Sequence, residues 1–385
     1  MVNHTNGIFV VLKENIKSFG HGTVVNKCRG LQQYLAKAQA LLSLHHHTSV
    51  PASYNKKISL LYSCFLYVYR NNCSTPIPCM TERPKILVVY YTQTGQLKRI
   101  IDNVVGPLQD KVTIVYEEIK PVQPFTFPWD KQVFFDTMPE TVLGRPRAIE
   151  PLKVDPDEHF DLVILAYQPW FLSPSQPTAA FLQNETAKRL LKDKPVVTLM
   201  GCRNMWLNAQ EKVKGYLQQA GARLVGNIVL VDTSPNLIAL LTVLRWQFKG
   251  QKEATKWLPA AGVQEKDIIA SSRFAAPLQK ALDSRQWDAL HPELMELKAV
   301  ELKPNLILLE QRGISAFGFW SKFISAKGGP GAPERKGRLT MYRLLLLAGI
   351  FVLTPIDKVS SIIKLTFRKT KLQEDVEYFK GIHLR

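Results

Sequence analysis

"KILVVYYTQTGQLKRIIDNVV", Lys85 to Val105, joins an apolar run to a one-sided helix through the segment Tyr-Thr-Gln-Thr-Gly-Gln. Leu97, Ile100, Ile101, Val104, Val105 and Leu108 recur at helical spacing, while Lys98, Arg99, Asp102 and Asn103 fall on the opposite side. A strand that ends in two hydroxyl residues and a glycine just before a helix is suited to an anion. Thr92 and Thr94 supply hydroxyls, Gly95 supplies a turn, and the helix start supplies amides. The segment is not a Walker A loop, since no Gly-Lys-Ser/Thr follows, nor a Gly-x-Gly-x-x-Gly fingerprint. On this loop alone, an ordinary strand-to-helix turn with threonine caps is an equal reading.

Outward from this stretch, short apolar runs alternate with helical patterns. Ile86–Tyr91, Val112–Ile119, Leu162–Tyr167, Val196–Met200 and Arg223–Val231 read as strands. Most are nearly continuous apolar runs, as in strands covered on both faces. Trp206, Gln210, Val213, Leu217 and Ala220 mark a further helix, with Gly221 as its stop. The alternation predicts an α/β fold with a doubly wound, five-stranded parallel sheet. Residues 120–150, rich in proline and aromatics, interrupt it and read as an ordered irregular insertion or lid.

The net charge of +18 suggests nucleic acid at first sight. Its distribution says otherwise. Residues 1–79 hold eight Lys/Arg against one acid and 312–385 hold fourteen against five, leaving twenty-eight against twenty-six in 80–311. A near-neutral centre does not support a nucleic-acid reader. Four of the five cysteines precede residue 80 and only Cys202 lies beyond it, so a reduced, cytoplasmic protein is expected. His45-His46-His47 reads as a solvated run, and nothing resembles a zinc site. Residues 1–79 form a poorly patterned extension; "MTERPKILVVYY" places a strand directly after Met80, which is the expected native start. The expected organisation is therefore 1–79, a sheet domain over 80–310, and a basic linker ("KGGPGAPERKGR") with an apolar tail over 311–385.

Two further loops follow strand ends, where open parallel sheets bind ligands. In "YQPWFLSPSQP", Trp170 and Phe171 offer planar faces on a proline-stiffened backbone; in "MGCRNMW", Gly201 allows close approach and Arg203 and Asn204 are placed to donate to ring carbonyls. The competing readings are a hydrophobic loop packed on its neighbours and an arginine paired with a surface acid.

"YYTQTGQL" resembles the flavodoxin phosphate loop, Thr-x-Thr-Gly-x-Thr, with Leu97 where flavodoxins usually carry a threonine. The resemblance implies FMN as cofactor, with Thr92, Gln93, Thr94, Gly95, Gln96 and Leu97 around its phosphate. It also implies that Tyr167, Gln168, Pro169, Trp170 and Phe171, together with Gly201, Cys202, Arg203 and Asn204, border the ring. Over residues 83–360, "YYTQTGQL", "FPWDKQVFFDTMPETVLG", "DLVILAYQPWFLSPSQP" and "KPVVTLMGCRNMWLNAQEKV" resemble the flavodoxin-like proteins of dialkylresorcinol biosynthesis, named condensing enzymes. That resemblance implies oxidation of a 2,5-dialkylcyclohexane-1,3-dione to a dialkylresorcinol, with the 120–150 insertion as substrate cover. It names no catalytic base; Tyr167 and Asp232 lie near strand ends but suit structural roles.

Two other readings stand beside it. One is an NAD(P)H-dependent quinone reductase or electron carrier. The other is a non-catalytic scaffold assisting a lipid synthase, with a ketosynthase or acyl carrier as partner; a homodimer is compatible with any of the three. Leu344 to Pro355 is an apolar run below spanning length, flanked by Arg335, Lys336, Arg338 and Arg343 before and Lys358, Lys364, Arg368, Lys369 and Lys371 after. Peripheral contact of 335–371 with the inner face of an anionic membrane is expected, against the competing reading of a helix packed on the sheet domain.

Overall fold

In the computed structural model, side chains of Ile86, Val88 and Tyr90 point to one side of a sheet and those of Leu87, Val89 and Tyr91 to the other, and all six are buried. This is why the run shows no polar alternation. The structure describes residues 83–346, 348–349 and 369–385. The 1–79 extension, the Met80 start and most of the apolar tail, including 351–368, lie outside the described residues.

The strands are β1 (Lys85–Tyr90), β2 (Thr113–Glu118), β3 (Leu162–Tyr167), β4 (Pro195–Cys202) and β5 (Arg223–Val231). They form one parallel sheet in the order β2-β1-β3-β4-β5. This is the flavodoxin-like doubly wound order, whose switch point lies between β1 and β3.

Helix α1 (Gln96–Val105) follows β1 and buries Leu97, Ile100, Ile101, Val104 and Val105 against one sheet face, as its apolar stripe requires. Fully burying each such side chain is worth about 1.5–3 kcal/mol. Helices α2 (Lys131–Leu143), α3 (Gln176–Gln183), α4 (Glu185–Leu191) and α5 (Leu207–Gln219) come next. Gly221, after α5, is left-handed (φ +69°), the stop expected there. After β5 come α6 (Asn236–Lys249), α7 (Glu265–Ala270), α8 (Ala275–Ser284), α9 (Trp287–Glu296), α10 (Pro304–Ser325) and α11 (Lys369–Lys380).

The 120–150 insertion is less irregular than expected. Its ends pair through a bridge between Pro121 and Ile149, and α2 occupies its centre. Asp130 caps that helix by accepting from the amides of Gln132 and Val133, and Gly144 ends it in a left-handed conformation. Pro139 inside the helix conceals this pattern in the sequence.

The basic linker expected at 327–338 is packed against the fold rather than solvated. Arg335 is fully buried against α2: Nη1 and Nη2 donate to the two Glu140 carboxylate oxygens at 2.9 and 3.1 Å, and Nη2 also donates to the Asp136 carbonyl at 3.0 Å. The Asp136 carboxylate lies 3.0 Å from Nε and accepts the Gly331 amide at 2.7 Å. Helix α10 runs unbroken through residues 310 and 311 and packs on α2, so the insertion and the chain after it share a core with Phe135, Met138, Ile324, Leu339 and Tyr342.

Glu310, on α10, enters the sheet domain at the start of α5 and accepts the Asn208 amide at 2.8 Å. Burial pushes its carboxyl up to about 7, against the pull of backbone amides at residues 206–208. A raised carboxyl pKa means the folded state holds the proton more tightly than the unfolded chain. Glu310 therefore costs stability progressively as pH climbs from about 4.5 to about 7. Glu310→Gln is expected to flatten urea-unfolding stability across that window by a few kcal/mol, on the order of 3. An unchanged slope would refute this.

Candidate functional site at the carboxyl edge of the sheet

The sheet order places the ends of β1, β3 and β4 side by side, and direct contacts join their three loops. Tyr91 and Trp170 meet edge to face at 5.9 Å. At Gly201 β4 approaches α1 closely: a Cβ would stand 2.7 Å from Ile100 Cδ1, the end of a side chain that would have to shift. The Asn208 amide nitrogen Nδ2 donates to the Leu172 carbonyl at 2.6 Å, tying the second loop to α5 beyond the third.

In the first loop, Thr92 Oγ1 accepts the Gly95 amide at 3.1 Å, closing a tight turn, and Gly95 is left-handed (φ +78°). The first main-chain bond of α1 is Arg99 N–H to the Gly95 carbonyl, so the amides of Gln96, Leu97 and Lys98 stand at the helix mouth without intrahelical acceptors. Thr92, Gln93 and Thr94 are partly exposed and Gly95 is exposed. The side chains of the last two loop residues face elsewhere. Leu97 is buried in the core. Gln96 Nε2 donates to the Val263 carbonyl at 3.0 Å while its Oε1 accepts the Val263 amide at 3.1 Å. Only the backbones of Gln96 and Leu97 therefore face the loop. Gln93 Nε2 donates to the Thr126 carbonyl at 3.1 Å, drawing the insertion over the loop.

In the second loop Tyr167 turns inward. It is fully buried, donates to Gln210 Oε1 at 2.6 Å, and Gln210 continues to Thr198 and Asn227; burial raises its pKa well above the ordinary tyrosine value. Gln168, Pro169, Trp170 and Phe171 remain partly exposed. Residues 169–170 pair with 173–174 in a hairpin whose turn puts Phe171 (φ +48°) and Leu172 (φ +60°) in left-handed conformations. Bulky residues rarely hold this geometry, and it is a strain that clusters at ligand-facing loops. Trp170 meets Phe125 at 5.0 Å and Trp129 at 5.3 Å, both from the insertion, and Phe171 meets Phe134 at 4.9 Å. The insertion thus lies against the second loop.

In the third loop Arg203 Nη1 donates to Asn236 Oδ1 at 2.6 Å and Asn204 Nδ2 donates to the same oxygen at 2.8 Å. Burial lowers the Arg203 pKa and raises that of the neighbouring Cys202 thiol. Two acceptors are left over. Asn204 Oδ1 and Asp232 Oδ2 are buried and have no hydrogen-bond partner. Buried acceptors without donors are uncommon in native proteins, and a ligand bringing hydroxyls or an imide N–H would satisfy them. The mouth of α1 for a dianion, half-buried loop rings for a planar group, and unpaired acceptors for donors together fit a flavin mononucleotide. Asn236, Phe125, Trp129 and Val263 escape the sequence reading. Phe125 and Trp129 carried a signal only as part of the aromatic-rich insertion, and Asn236 as a polar residue opening the helix after β5.

No protein-family model and no curated protein sequence matches the chain. Among solved structures it is similar to a flavoprotein in complex with FMN from Lactobacillus acidophilus NCFM, at 16% identity over 38% of this chain and 93% of that one, TM-score 0.30. It is also similar to a putative flavoprotein from Bacteroides eggerthii DSM 20697, at 19% identity over 42% and 96%, TM-score 0.30. A flavodoxin from the domain Archaea matches at 11% identity over 52% and 99%, TM-score 0.31. The strand order itself defines the class: a flavodoxin-like α/β protein with an aromatic insertion and a helical C-terminal region.

Proposed function

We propose that the protein is an FMN-dependent oxidoreductase that aromatises an alkylated cyclohexane-1,3-dione. The observation that carries the flavin reading is the Thr92–Gly95 turn, which aims the mouth of α1 outward at the carboxyl edge of the sheet, next to the switch point. Thr92, Thr94 and the amides of Gln96 and Leu97 would hold the phosphate; Trp170, Phe171, Arg203 and Asn204 would border the ring.

When bound, FMN supplies a two-electron acceptor. Conversion of the dione to the resorcinol removes two electrons and two protons: enolisation makes the ring hydrogens acidic, one hydrogen leaves as hydride and one as a proton, and aromaticity favours the product. The chain's own share is positional. The three loops fix the ring plane, and Phe125, Trp129 and α2 exclude water from its approach. The resemblance to dialkylresorcinol proteins supports the choice of dione.

Calorimetric titration with FMN tests the first step. Thr92→Ala with Thr94→Ala is expected to weaken binding by about 100-fold, from two lost bonds to a charged group. No FMN affinity, or no change in the variant, ends the flavin reading. For the second step, anaerobic flavin bleaching by a dialkylcyclohexanedione without NADPH supports aromatisation. Bleaching by NADPH but not by the dione would instead make the protein a quinone reductase or electron carrier.

A further inference from the structure

We propose that α10 and the helical residues 336–346 form a platform that docks on an anionic lipid surface. The proposal does not rest on the flavin reading. The two segments pack together antiparallel: the Arg338 guanidinium lies 4.0 Å over the Phe323 ring, while Tyr342 meets Trp320 at 5.6 Å and Phe317 at 6.4 Å. Beneath them, the Arg335 ion pairs lock the platform to α2.

Packing consumes one face of each segment and leaves apolar side chains outside. Phe319 is 61% exposed, Leu344 60% and Leu345 52%; Met341 and Ile314 are exposed as well. Phe319 stacks on Phe323 with ring planes 8° apart, extending the aromatic surface along α10. Met341, Leu344 and Leu345 stand three and four residues apart, which is one helical stripe. Large apolar groups this exposed on two segments packed against each other mark a surface built to be covered.

The charge around them selects the cover. Lys322, Lys327, Lys336, Arg338 and Arg343 belong to these segments and their connection, against two acids, Glu334 and the buried Glu310. A second copy of the chain would bring the same positive charge to the interface, and a nucleic acid has no use for aliphatic leucines. Anionic lipid meets both demands: headgroups neutralise the bases while Phe319, Leu344 and Leu345 enter the acyl boundary. No described helix is long and apolar enough to cross a membrane. Phe171 touches Phe317 at 6.1 Å, so the platform abuts the second loop of the candidate site, where an alkylated substrate leaving the lipid would arrive.

The test is flotation of the full chain with vesicles of phosphatidylcholine alone and of phosphatidylcholine mixed with phosphatidylglycerol. Binding is expected only to the anionic mixture and is lost in high salt. Phe319→Ser/Leu344→Ser/Leu345→Ser, all exposed positions, should reduce it about 10-fold or more with unchanged thermal unfolding. Lys322→Glu/Lys336→Glu should do the same. Equal binding to neutral vesicles, no binding, or undiminished binding of the serine variant would overturn the proposal. So would a lipid-free dimer of the native chain that the same serine substitutions abolish, since the occupant would then be a second copy.

Discussion

Arg335→Met is expected to destabilise the protein by about 3–5 kcal/mol, the largest single-residue effect outside the sheet core. The reason is an imbalance of burial. Arg335 has no exposed surface, and Asp136 and Glu140, one turn apart on α2, both direct their carboxylates at it. Taking away the guanidinium leaves two largely buried carboxylates without their cation, and the methionine thioether returns none of the lost bonds. Arg335→Lys should recover less than half of the loss, because a single ammonium cannot span both Glu140 oxygens and the Asp136 carbonyl as the planar fork does. Urea denaturation followed by circular dichroism measures both variants. If Arg335→Met unfolds within about 1 kcal/mol of the native chain, the span of surface-pair energies, the segment after α10 is not anchored as described.

Gly262→Ala is the second large effect, expected at about 2–4 kcal/mol from left-handed backbone strain plus overpacking. Gly262 holds φ +82°, and a Cβ there would stand 2.5 Å from Gln96 Oε1 and 2.9 Å from Trp246 Cζ3. The side chain displaced is the one that pairs with Val263, so the damage reaches the base of the 92–96 loop. Gly221→Ala is the matched control. It has a comparable φ of +69°, but its nearest neighbour would be Lys192 Cγ at 3.7 Å, so it carries only the backbone cost. A difference in urea midpoint between the two alanine variants isolates the collision with Gln96. Equal midpoints would mean that Gln96 yields without cost and its pairing with Val263 is incidental.

β1, β3, β4 and β5 were legible because burial on both faces leaves nearly unbroken apolar runs, and α1 because its stripe has a single period. β2, at the sheet edge, is mostly unburied. Within the site, Thr92 and Gly95 were legible for a local reason: the hydroxyl-to-amide turn that they form joins residues three apart in the chain and needs no distant partner. Tyr167 is not at the rim, as the resemblance implied, but takes the structural role that its residue reading suited. The burial that makes it a donor to Gln210 depends on a helix forty residues later. Helix α2 had a readable cap in Asp130 and stop in Gly144, yet Pro139 and the surrounding aromatics read as loop. The basic, glycine-rich stretch around Arg335 has the composition of a solvated linker, and nothing local announces two carboxylates roughly two hundred residues earlier.

The amino-acid order by itself determined the alternation of strand and helix, the parallel sheet and the anion-suited turn after β1, because periodicity and turn chemistry act over a few neighbouring residues. Tertiary structure alone decided which side chains of that turn face outward, how Asn236 gathers Arg203 and Asn204, and that the insertion, α10 and Arg335 form one packed body. Those outcomes depend on burial and charge pairing between residues far apart in the chain, and no local pattern encodes which distant group will arrive.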